Sequence, residues 1–231
     1  KLEVEPGSPD RVYEAEIHYN ELAMEPVVQF SRETGQARLE VTLEGREGSI
    51  GNLGESVMRV GLNPDLPLHL SASTGVGESQ IQLGGMKVRS VEVENGVGQT
   101  EMSMLEMNRD VCGKVEINGG VGGFELTGLG NFGFEELRFR GGVGGSRLDF
   151  SGAWDSVGEV IIEVGVGGIE LVLPRDIGAE IEVSQGLFSG FEMPGFTKQG
   201  DTYVSDNMDR VEKVVRFQIR AGIGGVEVRW I

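Results

Sequence analysis

Carboxylates and arginines recur at fixed offsets from a repeated Gly-Val-Gly, and chemistry is first sought there. Five residues after the first glycine of each motif stand Gln80, Glu101, Glu125, Arg147, Glu170 and Glu227. Glu92, Glu116 and Arg138 lie four residues before it, and Glu94, Asn118, Arg140 and Glu163 two before it. Stacked about 4.8 Å apart, the spacing of neighbouring strands, such columns form a flat charged face. Carboxylates paired across that face could do general acid–base work on a glycan. The alternative is a solvated ladder in which Arg138, Arg140 and Arg147 separate carboxylates that would otherwise repel. The ladder is the better account, because catalytic carboxylates differ from their neighbours and these merely continue a repeat.

Other signals are weaker. Calcium-binding β-rolls carry an Asp where Gly119-Gly120-Val121-Gly122-Gly123-Phe124 and Gly141-Gly142-Val143-Gly144-Gly145-Ser146 have Phe124 and Ser146, so no repeat-wide calcium site is expected. Only the acidic stretch from Asp201 to Asp209 stays open for a metal. Gly128-Leu129-Gly130-Asn131-Phe132-Gly133 fits a dinucleotide loop, but strand alternation follows it where a phosphate-binding helix is needed. His18 and His69 are the only histidines, which excludes a three-histidine metal site, and no Gly-x-Ser-x-Gly elbow exists. The single cysteine, Cys112, excludes an intramolecular disulfide and reads as an inert thiol beside a strand. No catalytic residue, metal or cofactor is therefore expected. Met102 and Met104 fall in the apolar columns and read as core filling. Phe188, Phe191 and Phe196, near Met193, sit where the repeat is broken. They form the candidate interaction surface, with capping of the core as the competing reading.

The elements that must position these residues follow from the repeat. The motif starts at Gly75, Gly96, Gly120, Gly142 and Gly165, at intervals of 21, 24, 22 and 23 residues, and returns as Gly222-Ile223-Gly224. A degenerate copy, Gly186-Leu187-Phe188-Ser189-Gly190, lies between. Apolar residues occupy the fifth and third places before each motif, as in Val115 and Ile117 or Val160 and Ile162. After it they occupy the sixth and eighth, as in Leu148 and Phe150 or Leu171 and Leu173. Alternation of period two means strands, and the slip of parity between the two halves means a glycine corner. A unit this small cannot bury its own apolar face, so units must stack. The expectation is all-β: a parallel, single-stranded, right-handed β-solenoid of about 22-residue repeats, with Val76, Val97, Val121, Val143, Val166 and Ile223 as an internal column. An antiparallel sandwich or barrel would seldom repeat one turn sequence at so even a spacing.

Residues 1–65 read as an N-terminal cap with irregular strands, and 66–231 as the repeats, continuous with it as one domain. In the cap, Val27 to Phe30 and Ala37 to Leu43 read as a hairpin that would cover the open edge of the first rung. Pro194 to Arg210 reads as an inserted loop with one short strand, and Val214 to Ile231 as the last rung.

Composition agrees with a folded chain: 39% of the 231 residues are apolar and 38 are glycine. With 20 Lys and Arg against 37 Asp and Glu, the net charge of −17 repels phosphate backbones and anionic headgroups, so nucleic acid and membrane surfaces are poor partners. No run approaches the roughly 18 apolar residues of a membrane span. A chain starting at Lys1 is what removal of a leader or anchor would leave.

The strand–GVGG–strand units, above all Gly165-Val166-Gly167-Gly168-Ile169-Glu170-Leu171-Val172-Leu173-Pro174, with Leu66-Pro67-Leu68-His69-Leu70 leading into the first, resemble the toast-rack group of bacterial proteins. That group includes adhesin-like proteins and the C-terminal domains of LiaF-like envelope-stress proteins. The resemblance runs from about residue 10 to the end. It implies a β-helix at the bacterial cell envelope, exported or tethered to the membrane, and brings no enzymatic activity. The function expected is a non-catalytic structural or protein-interaction module, with a carbohydrate-binding or polysaccharide-degrading β-helix as the alternative. The implied partner is another envelope protein or a surface glycan.

Overall fold

The computed structural model describes residues 1–231 except 34–35, 46–53 and 155–157, and for 33, 36 and 185–189 the backbone only. Among the described residues seventeen strands follow one another: β1 (Leu2–Pro6), β2 (Tyr13–His18), β3 (Met24–Glu33), β4 (Gln36–Gly45), β5 (Val57–Leu62), β6 (Pro67–Val76), β7 (Ser79–Gln82), β8 (Lys87–Ser103), β9 (Cys112–Thr127), β10 (Phe134–Val143), β11 (Ser146–Asp149), β12 (Glu159–Val166), β13 (Ile169–Leu173), β14 (Gly178–Glu192), β15 (Phe196–Gln199), β16 (Thr202–Ser205) and β17 (Val214–Trp230).

Each repeat contributes one strand segment on either side of its glycine corner, and successive repeats pair in parallel. On the first face, β6, β8, β9, β10 and β12 lie side by side. On the second, β7, β8, β9, β11 and β13 do so. The long strands β8, β9 and β17 run through both faces, so β9, β10, β12, β17, β13 and β11 close into a parallel ring of six. The corner residues are in register from rung to rung: Val76 with Val97, Val121, Val143, Val166 and Ile223 in turn.

The interior is filled by the alternation read from the sequence. Val115, Ile117, Leu137, Phe139, Val160 and Ile162 before the corner are fully buried, as are Leu126, Leu148, Phe150, Leu171 and Leu173 after it. Met102 and Met104 are buried among them. Each such side chain contributes about 1.5–3 kcal/mol by leaving water. Rings interlock between rungs, Phe124 edge-on to Phe139 at 5.3 Å and Phe150 edge-on to Phe217 at 5.1 Å.

The corner corrects the expected internal column. Val97, Val121, Val143, Val166 and Ile223 are 42 to 53% exposed, and Val76 at the end of the row is 82% exposed. The side chain that turns inward lies one residue before the motif (Asn95, Val164, Ala221), and the next inward one four residues after its first glycine (Thr100, Phe124, Ile169). The valine between two glycines is thus the apex of the bend and points outward. Neighbouring rungs shield one another's valines, which is why only the terminal Val76 stands almost free.

The glycines themselves have a steric reason. The second glycine of each motif has φ between +143° and +156°, as in Gly98, Gly122 and Gly144. A Cβ on Gly144 would stand 1.7 Å from the Gly122 carbonyl oxygen, and one on Gly167 equally close to that of Gly144. Backbone of one rung thus occupies the place where the next would carry a side chain.

Two end features also differ from expectation. The chain's last strand, β17, is not the outermost rung: it lies between β12/β13 and β14, parallel to both. β17 carries the intact Gly222-Ile223-Gly224, which stacks on Gly165 and Gly167. The degenerate copy in β14 pairs with a register shift between Gln185 and Phe188, a disruption that one neighbour tolerates better than two. The hairpin β3–β4 forms a two-stranded sheet of its own and does not pair with the strands of the stack among the described residues. Instead β1 pairs in parallel with β7 and with β5, and β2 closes antiparallel on β5, so among the described residues it is the second face that continues past the first repeat.

Candidate binding site

The outward columns form a paired ladder. Arg140 reaches Glu116 at 2.6 Å and Glu163 at 3.2 Å, and Glu163 also meets Arg220 at 2.7 Å. On the second face Glu170 lies 2.5 Å from Arg147 and 2.7 Å from Arg229. The Glu116 carboxyl is held below its ordinary value, first by a hydrogen bond from Lys114 and further by Arg140. Glu116 is thereby stabilised as an anion, which suits charge cancellation and not proton donation near neutrality.

The remaining candidates are also placed. Cys112 is fully buried, and burial pushes its thiol up to about 12, which leaves it protonated and unreactive. Gly128 to Gly133 form a single 3-10 turn followed by strand β10, with no helix to receive a phosphate. His69 hydrogen-bonds Ser90 and His18 pairs with Glu16, both at the surface. Among the described residues no cluster of His, Cys, Asp or Glu could hold a metal ion.

A cleft of about 640 Å³ opens at the end of the stack where the inserted segment folds back. Trp154 and Trp230, the two tryptophans of the chain, line it together with Arg175, Arg210 and Lys213. Asp176, Asp206 and Glu212 face the same space, so charge of both signs surrounds an aromatic edge. Asn207 builds the wall: its side-chain amide donates to the Arg175 and Ile177 carbonyls, at 3.1 and 2.7 Å. The Asp206 carboxylate accepts from the Thr197 hydroxyl at 2.8 Å. Lys213 is tethered to the Ala153 carbonyl at 3.3 Å. Among the described residues the Arg175 and Arg210 side chains have neither an ion pair nor a hydrogen bond, although most arginines of the chain are paired along the ladders.

One of the three candidate phenylalanines, Phe196, lies behind this cleft. Phe196 stacks on Trp230 with ring centroids 5.4 Å apart, and the Trp230 indole N–H donates to the Pro194 carbonyl at 2.8 Å. Phe191 packs near Tyr203 at 6.4 Å, and both phenylalanines are half-buried against the core. The Phe188 side chain lies outside the described residues; its backbone pairs with Ile223. Sequence reasoning found the broken repeat but not Arg175, Arg210, Lys213 or Trp230. Their only signal is that basic residues flank the insertion in an acidic chain.

The N-terminal domain of toast_rack, DUF2154, matches residues 1–127. The crystal structure of "a putative cell adhesion protein" from Clostridium sporogenes is similar over 100% of this chain and 87% of that one, with a TM-score of 0.51 and 18% identity, a likeness of fold. No curated protein matches. Since the match takes in more than half of the 231 residues, the chain belongs to the toast-rack family.

Proposed function

We propose that this protein is a non-catalytic, adhesin-like module of the bacterial cell envelope, and that its end cleft holds a surface glycan. One observation carries the reading: Trp230 beside two unpaired guanidinium groups and three carboxylates in a cleft of about 640 Å³. Sugars are bound by an aromatic face stacked on their C–H-bearing ring face and by charged and amide groups that share their hydroxyls. Phe196, stacked behind Trp230, holds the indole in place, and the rungs supply a rigid base. The cell-adhesion description of the similar solved structure and the family membership support an extracytoplasmic role. No helix among the described residues is long and apolar enough to cross a membrane.

The test is titration of the full chain with purified cell-wall glycan fragments, read by tryptophan fluorescence and calorimetry, with cell fractionation alongside. Saturable binding lost in Arg210→Ala, with the fold intact by circular dichroism, is expected. Absence of glycan binding together with a cytosolic location would overturn the proposal. The competing polysaccharide-degrading reading predicts product release during the same titration.

A further inference from the structure

The two faces of the stack do not end at the same level. Beyond β7 the second face continues through β1, β5 and β2, whereas on the first face β6 pairs only with β8 among the described residues. Besides β8, the only strand that β6 reaches by a hydrogen bond or ion pair among the described residues is β7 of its own repeat, through the Thr74 and Ser79 hydroxyls at 2.8 Å. Among the described residues one wall of the next rung is therefore present and the other is not. Leu68 and Leu70 of β6 are half-buried, where Val88 and Val91, their partners in β8, are 0% and 2% exposed. Val76 is 82% exposed for the same reason, and Leu66 just before the strand is 44% exposed.

Free strand edges are normally guarded by charge, and the other edges here are. β2 carries Glu14 and Glu16, β15 carries Lys198, and the outer half of β14 ends in Glu192. β6 carries none: Pro67, His69, Ser71, Ser73 and Gly75 alternate along its outward side. One strand inward, Glu92 and Glu94 are exposed and have no ion pair among the described residues. In a chain of net charge −17, this is an edge open to pairing and bordered by unneutralised carboxylates.

A second copy does not fit this edge. Joining β6 to β6 about a twofold would drive β1, β5 and β2 of each copy, three strands deep at about 4.8 Å each, into the second face of the other. We propose that β6 accepts one extended segment of a different polypeptide as an added strand. Its alternate apolar residues pack on Leu68 and Leu70, and Lys or Arg on its outward side reaches toward Glu92 and Glu94. This is strand addition to an exposed sheet edge, with backbone hydrogen bonds supplying affinity and side chains supplying choice. It lies at the opposite end of the stack from the glycan cleft and does not depend on it.

The probe is a peptide copying residues 66–77 with Ser71→Lys and Ser73→Lys, compared with the same peptide carrying Ser71→Glu and Ser73→Glu. The lysine peptide is expected to bind the full chain at least about tenfold more tightly. It should also slow amide hydrogen exchange in β6 while leaving β15 and β16 unchanged. Ser71→Lys with Ser73→Lys in the protein itself, both exposed positions, should weaken binding by about tenfold or more at an unchanged melting temperature. Equal binding of both peptides, or protection elsewhere than β6, overturns the proposal. So does a dimer of the full chain in sedimentation that is lost in the double-lysine variant, since the occupant is then a second copy.

Discussion

Gly144 and Gly145 are neighbours in sequence, and replacing each by alanine should give opposite results. Gly144 has φ +143° and its added Cβ would lie 1.7 Å from the Gly122 carbonyl oxygen. The backbone conformation costs an alanine about 1–3 kcal/mol, and displacing a neighbouring rung's backbone about as much again. A loss of about 4 kcal/mol is therefore expected, which at about 2–4 °C per kcal/mol for a chain of this size lowers Tm by about 8–16 °C. Gly145 has no positive φ, and a Cβ added there would meet no atom within 4 Å, so Gly145→Ala should change stability by less than about 0.5 kcal/mol. Urea unfolding followed by the fluorescence of Trp154 and Trp230 reads both variants. With a slope of about 2–3 kcal/mol/M, Gly144→Ala should lower the midpoint by about 1.3–2 M. Equal effects of the two substitutions, in either direction, would refute the steric account of the corner.

The outward apex is tested by a pair of threonines: Val121→Thr, half exposed, should cost less than about 1 kcal/mol, whereas Val115→Thr buries a hydroxyl and should cost about 2–3 kcal/mol by urea titration. The Glu116 carboxyl titrates below its ordinary 4.5 in the folded chain, so its contribution is complete above that pH and is lost as pH falls through the lower folded value. Stability should therefore decline in acid below about pH 4.5, and less steeply in Lys114→Met with Arg140→Met, measured by urea midpoints from pH 3 to 6. Cys112, fully buried and pushed up to about 12, should resist maleimide at pH 8 and react in step with urea unfolding.

Much of the fold was legible because a stacked repeat writes the same physical demand many times. Six copies of a two-glycine corner with alternation on both sides showed the strands, their pairing in parallel and the inward columns from Val115 to Leu173. The direction of Val121 and its equivalents was not legible. Parity along a strand says which residues share a face, but at a bend of three residues it cannot say which side is convex. The insertion of β17 between β12/β13 and β14 was hidden for a related reason. Chain order and spatial order coincide in a regular stack, whereas here the strand with the intact motif takes the inner place and the irregular β14 the outer one.

The candidate site divides in the same way. Phe191 and Phe196 were found because the repeat fails around them, which is a local signal. Arg175, Arg210, Lys213 and Trp230 are separated by up to 55 residues and meet only because β14 and the insertion fold back over the end of the stack. The sequence by itself determined the repeat, the strand period, the single cysteine and the presence of only two histidines, since each follows from residue type and spacing. Tertiary structure alone decided which valines face water, which rung is last, where β6 is left open and which charges share a cleft. Those depend on how far each sheet extends, a property of packed neighbours and not of any one segment.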